Sequence, residues 1–89
     1  MRLDKFLKLS RLIKRRTVAK DAAEQGRVWI NGKEAKPGST VKIGDEITVR
    51  YGGRLVTVRV DDLRESPRKD EASHMYTVLR DEPVSIEQS

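Results

Sequence analysis

Gly26-Arg27-Val28-Trp29-Ile30-Asn31-Gly32 is the stretch on which the reading of this chain turns. Gly26 is suited to the left-handed stop that ends a helix. Val28 and Ile30 alternate with Arg27 and Trp29, the period of a half-buried strand, and Asn31-Gly32 suits the positive φ angles of a type I′ hairpin turn. Helix is therefore expected before Gly26 and short strands after it.

Upstream, Val18, Ala19, Ala22 and Ala23 form one apolar arc of a short helix, with Lys20, Asp21 and Glu24 opposite and Thr17 placed as its N-cap. An alanine-lined helix lets a sheet approach its backbone closely. Further upstream, Leu3, Phe6 and Leu7 share a helix face at i, i+3 and i+4, while Arg2, Lys5 and Lys8 share the opposite one. Leu9 falls on the cationic side of that wheel, so the helix is expected to bend near Leu9 to Arg11.

Downstream, Pro37-Gly38-Ser39 reads as a loop and Val41-Lys42-Ile43 as a brief extended piece. Gly44-Asp45 turns the chain into a strand from Ile47 to Tyr51, Gly52-Gly53 is a second hairpin turn, and Leu55, Val56, Val58 and Val60 supply the returning strand. The fold class is α+β: two N-terminal helices packed on a small, twisted, mostly antiparallel sheet. A first unit of residues 1–60 is followed by an acidic extension, 61–89. There Ser66-Pro67 reads as N-cap and first helical residue, and Ala72, Met75, Tyr76 and Leu79 keep helical spacing, although Met75 to Leu79 also tolerates a strand. The end beyond Pro83 is expected to fray.

The chain has 89 residues with 19 Lys and Arg against 14 Asp and Glu, which is one small domain with a thin core. It lacks cysteine, so disulfides, thiolate zinc sites and thiol nucleophiles are excluded. No apolar run is long enough for a membrane span or a signal peptide, and a cytoplasmic monomer is expected. The charge is strongly asymmetric. Residues 1–36 hold eleven cations and four acids, whereas residues 61–89 hold four cations and eight acids. A basic half and an acidic tail point to a directed surface for a polyanion.

Arg2, Lys5, Lys8, Arg11, Lys14, Arg15, Arg16 and Lys20 supply that surface, with Asp4 as the single acid before Asp21. Phosphate is their natural ligand, and arginine forks can grip its oxygens bidentately. Asp4 has two readings. It is a favourable first-turn carboxylate at a helix N-terminus, or it orients Arg2 or Arg16 or accepts a hydrogen bond from RNA. Trp29 either stacks on a nucleobase or packs under the C-terminal segment. His74 has no nucleophile or second histidine at a recognisable spacing, and nothing in the sequence implies a catalytic, metal or cofactor site.

These residues together spell a known pattern: Arg2-Leu3-Asp4-Lys5-Phe6-Leu7, Ser10-Arg11, Arg16, Ala19, then Gly26-x-Val28-x-Ile30-Asn31-Gly32. The chain resembles the S-four RNA-binding domain, or alpha-L motif, over roughly residues 1–50. The resemblance implies two helices on a small curved sheet and RNA contacts at Arg2, Asp4 and Arg16, with Lys5, Lys8, Arg11 and Arg15 beside them. The domain is expected to stand alone, without a catalytic partner domain. Among stand-alone members the whole chain is similar to the bacterial ribosome quality-control P proteins, and next to the small heat-shock S-four proteins, which carry a longer basic tail. The first resemblance implies a non-catalytic factor on obstructed large (50S) ribosomal subunits. It would bind 23S rRNA and peptidyl-tRNA and support alanine tailing of the stalled chain by a partner quality-control factor. The rival expectations are a heat-shock-type rescue factor of the large subunit, the RNA-binding subunit of a modifying enzyme, and a nonspecific nucleic-acid protein.

Overall fold

Positive φ angles at Gly26 (75°), Asn31 (52°) and Gly32 (82°) stand at the two places where the sequence demands them. The first closes α2 (Arg16–Glu24), and the other two turn β1 (Val28–Ile30) into β2 (Lys33–Glu34). The structure is a computed structural model that describes residues 1–65, 67–68 and 70–84. Its remaining elements are α1 (Leu3–Leu9), β3 (Glu46–Tyr51), β4 (Arg54–Val60), a 3₁₀ turn (Ala72–Met75) and β5 (Tyr76–Pro83). All strand pairs are antiparallel, in the spatial order β2-β1-β3-β4-β5.

Both helices pack on one face of this sheet, as the period-2 and period-3.6 patterns require. Leu3, Phe6 and Leu7 from α1 and Ala19 and Ala23 from α2 join Val28, Ile47, Val49, Val58 and Val60 in one buried cluster. Trp29 lies on the opposite sheet face, half-buried, level with Glu34 and Thr48. No helix among the described residues is long and apolar enough to cross a membrane.

Two local expectations are corrected. The N-cap of α2 is Arg15, in extended conformation and without a side-chain cap, instead of Thr17. The chain around Val41, for which the sequence implies no strand partner, is tied to the N-terminus. The Val41 N–H donates to Met1 O at 2.8 Å, beside an antiparallel bridge between Arg2 and Thr40. The second correction is the larger. Where spacing predicts a helix from Pro67, the chain makes only the turn Ala72–Met75 and then β5, which pairs along β4 from Val60↔Tyr76 to Arg54↔Pro83. Ser66, its expected N-cap, lies outside the described residues. A strand wins because the outer edge of β4 would otherwise leave a row of unpaired N–H and C=O groups beside the core, and pairing satisfies them. Met75 keeps the buried position that the spacing assigned to it.

Candidate nucleic-acid interface

The interface begins with how α1 starts. The first N–H groups of a helix have no partner within it. Here the loop 37–39 supplies two: the Leu3 N–H donates to Ser39 O at 2.8 Å and the Asp4 N–H to Pro37 O at 3.1 Å. The Asp4 carboxylate takes the next, from the Lys5 N–H at 2.8 Å. With Asp4 so fixed, its oxygens face two arginines. Arg2 Nε donates to Oδ1 at 3.2 Å and Arg2 Nη2 to Oδ2 at 3.4 Å, while Arg16 Nη2 reaches Oδ1 at 3.4 Å from the first residue of α2. Asp4 thus serves the first turn of α1 and pairs with Arg2 and Arg16 in one side chain.

The electrostatics of this triad are lopsided. The Asp4 side chain is 4% exposed, whereas Arg2 and Arg16 are 56% and 48% exposed. Burial pushes the Asp4 carboxyl up, but hydrogen bonds and charge from Arg2 and Arg16 outweigh it and hold the group below its ordinary value of 3.8. A buried anion therefore holds two half-exposed guanidinium groups, Arg2 through Nε and Nη2 and Arg16 through Nη2, which is a device for presenting two forks at a set spacing.

A second group of cations meets at the α1–α2 linker. Helix α1 stops at Leu9 with Ser10 as C-cap, and Arg11 follows at φ 63°, a left-handed conformation that costs a side-chain-bearing residue roughly 1–2 kcal/mol. The expected bend is this break. Buried Ser10 fixes it, its Oγ donating to Leu7 O at 3.3 Å. Lys8, Arg11 and Lys14 then line a polar hollow of about 210 Å³ together with Leu9 and Pro67. Arg15 and Lys20 are exposed nearby but join neither group. Among the described residues, Lys8, Arg11, Lys14, Arg15 and Lys20 have no acidic partner.

Lys5 differs, because its ammonium is ion-paired with Glu65 of the acidic segment. The hydrogen bond and charge of Lys5 hold the Glu65 carboxyl below its ordinary value. Arg64 ties the same segment together through Asp62 and, at 2.8 Å, Glu71. Sequence reasoning did not bring Glu65 or Pro67 to the cationic face. The opposite charge of the two chain halves was the only available signal. Trp29, on the far face of the sheet, belongs to neither cationic group.

The basic helix pair, its carboxylate clamp and the sheet beneath match a known family. The S4 domain matches residues 1–47. This chain belongs to the S4 domain family. An S4 relative from Bacillus subtilis (strain 168), the RQC P-site tRNA stabilizing factor, is 62% identical over 84 residues, covering 94% of this chain and 98% of that protein. The protein of the same name from Halalkalibacterium halodurans is 58% identical over 85 residues, covering 96% and 97%. Among solved S4 structures, trimeric heat shock protein 15 of Vibrio cholerae superposes with a TM-score of 0.82 at 37% identity, covering 88% of this chain and 80% of that one. Arg2, Asp4, Arg11 and Arg16 all lie within the matched S4 span.

Proposed function

We propose that this protein is a non-catalytic RNA-binding factor of ribosome-associated quality control that grips 23S rRNA and peptidyl-tRNA on obstructed large ribosomal subunits and so supports alanine tailing of the stalled chain. The observation that carries the reading is the Asp4 clamp, which holds Arg2 and Arg16 together on an exposed face otherwise made of lysine and arginine. Structured RNA offers phosphate oxygens at set spacings and grooves that resist base readout, so paired arginine forks and a convergent cation group suit it. In this reading Arg2 and Arg16 set geometry, Lys8, Arg11 and Lys14 hold a phosphate, and Arg15 and Lys20 add field. Lys5 joins them when phosphate displaces Glu65. The relatives' name supports the P-site tRNA and the quality-control setting, and their higher identity favours it over the heat-shock reading.

Sucrose-gradient sedimentation of the tagged protein from lysate, at low and moderate salt, tests the proposal. The protein is expected to migrate with free large subunits, and Arg16→Ala to shift it toward the top. If both stay at the top at either salt, the ribosomal reading fails and an RNA-modifying partner becomes the better one.

A further inference from the structure

The apolar arc of α2 is wider than the sheet beneath it. Ala19 and Ala23 are buried in the core, but Val18 and Ala22, one turn apart, are not: Val18 remains half-exposed. They line one side of a groove of about 350 Å³ whose other side is Ile13, Val49 and Tyr51. Its rim is cationic, with Lys14 from the α1–α2 linker, Arg27 from the turn before β1 and Arg50 from β3. All three are exposed and none has an acidic partner among the described residues.

We propose that this groove docks a short peptide segment of a protein partner, an aliphatic residue flanked by Asp or Glu. The lining disfavours a nucleobase: Tyr51 is its one aromatic ring, and it offers no free hydroxyl or amide side chain to hydrogen-bond a base edge. Aliphatic side chains dominate the interior, and the one hydroxyl there, Tyr51 Oη, is already spent donating to Leu12 O. An aliphatic anchor fills such a pocket, and carboxylates beside it meet a rim that is uniformly positive. The groove shares Lys14 with the phosphate hollow but none of Arg2, Asp4 and Arg16, so a peptide could dock there while the clamp holds RNA.

Panning a phage-displayed random-peptide library on the full chain, with Val18→Asp as the counter-target, tests this. Selected peptides are then labelled with fluorescein and titrated by anisotropy. Enriched peptides should carry an aliphatic residue next to Asp or Glu. They should bind about tenfold more weakly, or worse, to Val18→Asp and to Arg27→Glu. Circular dichroism checks that both variants fold, and since both side chains are exposed they should. No enrichment over the counter-target, peptides without acids, or undiminished binding to both variants would overturn the proposal. So would a structured RNA hairpin whose affinity falls in Val18→Asp, which assigns the groove to RNA, or self-association lost in Val18→Asp without peptide enrichment, which assigns it to a second copy.

Discussion

Replacing Asp4 with asparagine separates geometry from net charge, because the two make opposite predictions. On charge alone, Asp4→Asn removes the one acid among the N-terminal cations and should tighten binding to phosphate. On geometry it releases Arg2 and Arg16 and should weaken it. The stability cost follows from the contacts. Asparagine keeps an acceptor for the Lys5 N–H, so the first turn of α1 survives. What is lost is a carboxylate at a helix N-terminus, about 0.3–1 kcal/mol, and two charge pairs whose guanidinium partners are half-exposed, about 0.2–1 kcal/mol each. The sum is about 0.7–3 kcal/mol, which lowers Tm by on the order of 10 °C in a domain of this size. Thermal denaturation measures this, and anisotropy of a labelled rRNA stem-loop at fixed salt measures binding. RNA affinity should fall, and Asp4→Asn should cost less in an Arg16→Ala background, with a coupling of about 0.5 kcal/mol or more. Tighter RNA binding by Asp4→Asn, or strict additivity with Arg16→Ala, would refute the clamp.

The same carboxylate sets a pH dependence: its native pKa is lowered, so its stabilisation is full above the ordinary value of 3.8 and disappears as pH falls through the native value. The Tm gap between the parent chain and Asp4→Asn should therefore be widest near neutrality and close in acid, and a constant gap would contradict the pairing. Arg11→Gly removes left-handed strain but loosens the unfolded chain, so stability should change by about 1 kcal/mol or less, while the slope of log K against log salt drops by about 0.7–0.9. A large loss of stability would mean that Arg11 serves the fold and not the ligand. Gly32→Val should cost about 1–2 kcal/mol through its φ of 82°, there being open space for the side chain itself. Asn31→Ala should cost more than Asn31→Gly in thermal melts, since glycine restores the positive φ and alanine does not.

Much of this architecture is legible because its determinants are local. Gly26 and Asn31-Gly32 specify backbone conformations that few other residues adopt, so the helix end and the hairpin follow from identity alone. The faces of α1 are equally local, as Leu3, Phe6 and Leu7 turn inward at a fixed angular step. The expectations that failed depend on distant chain. Spacing favours a helix through residues 72–79 while tolerating a strand at 75–79, and the open edge of β4 decides for the strand. Thr17 is a plausible cap by composition, but the arrival of the linker lets Arg15 begin the helix two residues earlier, with the Ala19 N–H donating to Arg15 O at 3.0 Å.

The cationic surface divides along the same line. By itself the sequence determined that Arg2 through Lys20 form a positive surface around one acid, because charge and helical period need no tertiary information. Only the fold decided what those charges do. It buried Asp4 so that a single carboxylate holds Arg2 and Arg16, fourteen residues from one another, at one place. It also laid Glu65 on Lys5 and set Pro67 beside Lys8, Arg11 and Lys14. Asn31 shows the division within one residue. Its positive φ was written in the Asn-Gly pair, but its side chain also accepts from the Glu46 N–H at 2.9 Å and donates to Asp45 at 3.1 Å. Those bonds join the first hairpin to the entry of β3, across a loop that no local pattern spans. Periodicity and turn chemistry act over a few residues, whereas ion pairs and strand edges are settled only when distant segments meet.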